Sequence, residues 1–174
     1  GNEVRVVSPE TGASLAAEVE GELQVRGASV FPGYLNNPDA NAEAFTSEGW
    51  FRTGDLATID DQGNLTITGR SKDIINRGGV KYNPADIEEI IFTHPKVSMT
   101  AIVPMKDEKL GERACCFIQP VKGETIDLDE ITAFLAKQNV SKNKWPERLE
   151  TIEDMPLTPT RKVIKGKLAA LLET

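Results

Sequence analysis

Lys162 closes the stretch Pro156-Leu-Thr-Pro-Thr-Arg-Lys162, which puts a compact positive charge on a proline-stiffened loop just ahead of an amphipathic segment. Pro156 and Pro159 limit the loop's conformations, so little entropy is lost in placing the lysine. Such a cation can neutralise charge on a phosphoryl group undergoing attack. A solvated surface lysine is the alternative. Asp55 ends Trp50-Phe-Arg-Thr-Gly-Asp55, where the glycine keeps the backbone uncrowded. A carboxylate accepts two hydrogen bonds at once and suits a vicinal diol such as a ribose. It equally suits a turn, where it caps nearby amides.

Gly69-Arg-Ser-Lys-Asp-Ile-Ile-Asn-Arg-Gly-Gly79 holds the next candidates. Arg70 can donate several hydrogen bonds to ribose or phosphate oxygens, or form a surface ion pair. Lys72 falls where the chain's character changes and fits a solvated linker. Gly78 and Gly79, followed by Lys81, permit close backbone approach to a ligand, and equally a tight hairpin.

These residues need elements to hold them. Val4 to Val7 and Glu22 to Val25 read as strands, with turn residues Pro9 and Gly12 between. Asn37 and Pro38 open a short helix. Leu56 to Ile59 and Leu65 to Thr68 flank Asp60-Asp-Gln-Gly-Asn64 as a hairpin. About six short strands with few large apolar residues are expected before residue 70, too thin a core to stand alone. Beyond Arg70 to Lys72 the pattern becomes mixed. Asn83-Pro84 caps a helix to about Thr93, Val97 to Val103 and Ala114 to Pro120 are strands, and Asp127 caps a second helix. Leu149 to Ile152 reads as a strand and Val163 to Leu172 as a third helix. The predicted class is α+β, a small mixed α/β domain at residues 71–174 preceded by a β-rich segment at 1–70.

Composition narrows the function. The chain has 174 residues, 39% hydrophobic and 27% charged, with net charge −7. That balance disfavours nucleic acid as a partner. Apolar runs are too short to span a membrane, and no signal peptide is expected. Cys115 and Cys116 are adjacent, so on a strand they point to opposite faces. They read as buried side chains rather than a reactive thiol or metal ligand, in keeping with a reducing cytosol. His94, the sole histidine, precedes Pro95 in a helix-end turn and is not expected to be catalytic. No metal site is expected.

In their order along the chain, the three motifs resemble the C-terminal part of acyl-adenylate-forming enzymes, the superfamily of acyl-CoA synthetases, peptide-synthetase adenylation domains and luciferases. The resemblance spans nearly the whole chain. Ile75-Asn-Arg-Gly-Gly-Val-Lys-Tyr and Leu110-Gly-Glu-Arg resemble acyl- and aryl-acid CoA ligases, of the cyclohexanecarboxylate and dihydroxybenzoate types. It implies a lid domain after the end of a β-barrel subdomain, with the larger N-terminal domain supplied in cis. It implies ATP, Mg2+, coenzyme A and a small carboxylic acid as reactants, with Mg2+ held mainly outside this segment. Asp55 and Arg70 would hold the AMP ribose, and Lys162 would reach the α-phosphate. Lys72 would be the hinge for a rotation between half-reactions. Gly78 and Gly79 would lie along the pantetheine of CoA, with Lys81 near its phosphates. The phosphate-binding loop and acyl pocket of the family are absent, so the 174 residues alone are expected to be inactive.

The family pattern is Pro-x-Thr-x-x-Gly-Lys, and Arg161 replaces its glycine. A left-handed backbone there would cost arginine about 1 kcal/mol or more. Alternatively, Arg161 adds charge toward phosphates, in a basic patch with Lys165 and Lys167. Two other functions stay open: an adenylating enzyme that loads a carrier protein's phosphopantetheine, and a non-catalytic interaction or regulatory module.

Overall fold

The structure is a computed structural model that describes residues 1–172. The chain divides into two compact units, Gly1–Lys72 and Asp73–Thr174.

The first unit is a four-stranded antiparallel sheet in the order β1-β2-β3-β4. Its strands are β1 (Glu3–Val7), β2 (Gly21–Arg26), β3 (Phe51–Ile59) and β4 (Leu65–Arg70). Four strands form where about six were expected, because β3 and β4 absorb the flanking motif residues. Helix α1 (Pro38–Ala44) starts as its sequence requires, with the Asn37 side chain accepting from the Ala40 amide and Pro38 in the first turn. The core is small: Val6, Leu23 and Ala57 cluster with Leu15, Val25 and Ile59 against them. Ile67 on β4 stays 59% exposed.

The second unit is a five-stranded sheet built on one hairpin. Its long strands are β7 (Val97–Asp107) and β8 (Gly111–Pro120), paired antiparallel over nearly their whole length. β8 is buried on both faces. Ala114, Cys116 and Ile118 join a core with Ile102, Ile87, Ile91, Ile131 and Leu135. Cys115 and Phe117 join a second core with Ala101, Val103, Met155 and Leu168. The period-2 alternation of a strand thus divides the two cysteines between two cores. Helices α2 (Pro84–Phe92) and α3 (Leu128–Lys137) cover the first face, and α4 (Lys165–Ala170) lies in the second cluster through Leu168. α2 begins with Asn83 capping the Ala85 amide, and α3 with Asp127 capping Glu130. Asn139, left-handed at φ 59°, ends α3. The α3 crossover lets β9 (Arg148–Thr151) return parallel to β8.

The sequence reading ended the first of the long strands at Val103, yet it runs on through Pro104 to Asp107. β7 is an edge strand, where a residue without an N–H is tolerated. The third helix was expected from Val163; instead Val163 bridges to Leu157, which holds its backbone extended, and the helix starts at Lys165. A short hairpin, β5 (Ile75–Arg77) and β6 (Val80–Tyr82), completes the sheet. His94 is buried edge-on to Phe134, and its Nδ1 accepts from the Lys96 amide, a structural role. Among the described residues no helix is long and apolar enough to cross a membrane.

Two predictions follow from this packing. Leu135 is fully buried, so Leu135→Ala is expected to cost about 2–5 kcal/mol in urea unfolding of the chain. Burial pushes both thiols up to about 12. Neutral thiols in the fold and ionisable ones in the unfolded chain give a stabilising contribution that is complete below about pH 8.5. It is lost as pH rises toward about 12. Thiol labelling at pH 8 should therefore wait for unfolding, and burst labelling of either cysteine in the native chain would contradict this account.

Candidate active site

In the first unit, the Thr53-Gly54-Asp55 segment sits where β3 departs from regular pairing. Gly54 takes φ +74°, and the ladder shifts register around it on both neighbours. Bulges of this kind re-aim side chains. The segment is tied from three sides: the Thr53 hydroxyl donates to the Leu23 carbonyl at 2.9 Å and accepts from the Asp55 amide at 3.0 Å, while the Ser71 hydroxyl donates to the Gly54 carbonyl at 3.1 Å.

The register then does what spacing alone could not. Asp55 and Arg70 are direct cross-strand partners, with Arg70 Nε 2.9 Å from Asp55 Oδ1. Two residues from separate motifs thus form one site element. The carboxylate is mostly buried, while the guanidinium is largely exposed. The pair's stability contribution is accordingly small, and its main effect is to fix the carboxylate's direction. Beside it opens a cleft of 440 Å³, lined by Tyr34, Phe51, Thr53, Gly54, Arg70, Ser71 and Lys72 among others. That size suits a nucleotide-scale ligand. Tyr34 and Phe51 both pack edge-on against Phe31, at 5.0 and 5.1 Å between ring centroids, so the aromatic wall is rigid. Lys72 is exposed in a short 3₁₀ turn, Ser71–Asp73, at the end of the first unit.

In the second unit, Lys162 stands on a tight hairpin loop. The Arg161 amide donates to the Thr158 carbonyl at 2.9 Å, and the Thr158 amide to the Lys162 carbonyl at 2.8 Å. The Lys162 amide donates to the Thr158 hydroxyl at 3.0 Å, and Leu157 bridges Val163. A turn followed by one left-handed residue is a standard three-residue hairpin loop. Arg161 holds that left-handed position, at φ +63°. The strain expected of a non-glycine residue there is therefore present, about 1 kcal/mol. The Lys162 side chain is exposed.

Gly78 and Gly79, at φ +58° and +88°, form the two-residue turn of the β5–β6 hairpin. Positive φ at both centres is what such a turn needs. The hairpin reading of this glycine pair therefore describes its geometry. Gly78 is pressed against the Leu110 side chain, whereas the space beside Gly79 is open. Lys81 is exposed on β6. Arg77 pairs with Glu147, whose other oxygen accepts from the Ala114 amide at 3.0 Å. Ser71, Asn76, Asp107, Glu112 and Glu147 support these loops, a role the sequence did not reveal even where they fall inside the quoted motifs. Their partners lie 17 to 70 residues away in most cases, and no short motif joins them. Thr158 was legible, because its partner Lys162 is four residues on.

Residues 86–162 match the model of the AMP-binding enzyme C-terminal domain. The chain is 41% identical over 170 residues to a 4-coumarate–CoA ligase of Vanilla planifolia, covering 98% of this chain and 31% of that protein. It is 39% identical to a medium-chain fatty-acid–CoA ligase of Escherichia coli K12, covering 95% of this chain and 29% of the relative. Among solved structures, ATP-bound MatB from Rhodopseudomonas palustris matches with TM-score 0.91 and 33% identity, over 99% of this chain and 34% of that one. The chain thus spans about three tenths of the length of the curated relatives it matches. Residues 86–162 thus carry the match to the AMP-binding enzyme C-terminal domain, and the chain is similar to CoA ligases over 95–98% of its own length.

Proposed function

We propose that the chain is the C-terminal part of an ATP-dependent acid–CoA ligase. The observation that carries this reading is the Asp55–Arg70 pair at the edge of the 440 Å³ cleft. The β3–β4 register brings together the two residues that would hold a ribose, one as diol acceptor and one as donor. ATP in the matched MatB structure and CoA in the relatives' names support the choice of reactants.

In this reading, residues up to Lys72 end the adenylation domain and Asp73 onward form its lid. The carboxylate substrate attacks the α-phosphorus of ATP. The new C–O–P bond forms as pyrophosphate leaves. Lys162 stabilises the charge on the transferring group, delivered by a loop whose hairpin bonds are already made. The lid then turns about Lys72, and the Gly78-Gly79 turn guides the CoA thiol to the acyl carbonyl, expelling AMP. The open side of Gly79 supports a backbone path along an extended pantetheine. Among the described residues no group of three or more His, Cys, Asp or Glu side chains converges. In this reading Mg2+ enters as the substrate partner of ATP, and its ligands would come from the preceding part of the enzyme. The acid itself would be chosen there too, and the isolated 174 residues would turn over neither step.

In the intact enzyme, Lys162→Ala should slow pyrophosphate release by about 10²–10³-fold. Asp55→Ala should raise the KM for ATP by about tenfold or more with a smaller change in kcat. An unchanged rate in the lysine variant would sink the ligase reading of this loop. Assaying pyrophosphate and acyl-CoA together identifies the acceptor, because pyrophosphate without acyl-CoA would indicate a carrier protein. Arg161→Gly should relieve the left-handed strain and stabilise the chain by up to about 1 kcal/mol, less the entropy cost of an added glycine. Denaturant melts of the two proteins check it.

A further inference from the structure

We infer that the β7–β8 tip is the positioning device for the Gly78-Gly79 turn, acting through Glu112 and Asp107. The inference rests on the reading that this turn guides the thiol acceptor.

The β5–β6 hairpin has three residues per strand and cannot hold itself in place. Its ladder contact with β8 is the single pair Arg77↔Gly111. Ile75 and Tyr82 anchor its base in the first core and Arg77 pairs with Glu147, while polar bonds from the tip hold the turn itself. The Gly78 amide donates to the Leu110 carbonyl at 2.8 Å. The Asn76 amide donates to the Glu112 carboxylate at 2.7 Å, and the Asn76 side-chain oxygen accepts from the Gly79 amide at 3.2 Å. Glu112 thus reaches Gly79 through one intermediate residue.

Asp107 shapes the tip itself. Its Oδ1 accepts from the Leu110 amide at 2.8 Å and the Lys109 amide at 3.0 Å, and its Oδ2 lies 2.7 Å from Arg113 Nε. The Leu110 amide first, with Lys109 and Arg113, holds the Asp107 carboxyl below its ordinary range. This closure aims the Leu110 carbonyl at Gly78 and sets the Leu110 side chain 3.1 Å from where a Gly78 Cβ would stand. The face toward Gly78 is therefore braced, while the face at Gly79 is left to a ligand.

None of these residues lies on the Lys162 loop, so loosening them should act on thioester formation and spare adenylation. Small misplacements of a positioned group cost up to about 10²-fold in rate. The test uses the intact enzyme with 4-coumarate or octanoate, following pyrophosphate release and acyl-CoA formation separately. Glu112→Ala should slow acyl-CoA formation about tenfold and leave pyrophosphate release within about twofold. Glu112→Gln keeps the acceptor oxygen and should restore most of the rate. Equal slowing of both steps by Glu112→Ala would reduce Glu112 to a purely structural role and overturn the inference. Gly79→Ala separates the two levels of the argument. If it leaves acyl-CoA formation intact, the loop's acceptor role fails. If it slows that step while Glu112→Ala does not, the positioning role fails alone. Asn76→Ala, at an exposed position on β5, gives the same reading should Glu112→Ala fold poorly. Hydrogen exchange on the 174-residue chain adds a readout that needs no substrate: Glu112→Ala should speed exchange at the Asn76 and Gly79 amides about tenfold or more and leave α2 unchanged. Unchanged exchange at residues 76–79 would overturn the proposal.

Discussion

Strand β8 is the constraint on which the second unit depends. It is buried on both faces, and each residue step hands a side chain to the opposite core. Shifting its register by one would exchange Cys115 and Phe117 with Cys116 and Ile118, and both cores would be lost. Every candidate loop of this unit is anchored to that strand. Its N-terminal end meets the glycine hairpin, its flank pairs with β9, and the chain beyond β9 turns into the Lys162 loop.

Backbone of the left-handed kind occurs at three of the candidate sites. Gly54 turns the strand before Asp55, two glycines turn the hairpin, and Arg161 precedes Lys162. Three of these four positions carry the residue that adopts such geometry without cost. The fourth carries arginine, with the conformation kept and the side chain added. The loop's hydrogen bonds explain how it persists, since four backbone and hydroxyl bonds within Thr158 to Lys162 over-determine the turn.

The two units use contrasting means to hold functional groups. In the first, an irregular strand and a cross-strand ion pair fix a carboxylate beside a cleft with an aromatic wall. In the second, cations and glycines sit on exposed turns that hydrogen bonds brace from behind. The thin core of the first unit fits the relatives' much longer chains, of which this one spans about three tenths.

The sequence alone determined the local features. Asn37, Asn83 and Asp127 cap their helices because cap and amide lie two or three residues apart. The Gly78-Gly79 turn and the Thr158–Lys162 bond are equally local. The proposed site residues Asp55, Arg70, Lys72 and Lys162 were singled out from equally local motifs, and the change of character near Lys72 coincides with the division between the two units. Only the tertiary structure decided which of them meet. The Asp55–Arg70 pair depends on a bulged register, and the Glu112–Asn76 bond joins residues 36 apart. The extension of β7 through Pro104 depends on which strand lies at the sheet's edge. Local signals reflect backbone preferences within one turn. Strand partners and register are instead selected by which alternating faces can be buried together, a property of the whole sheet.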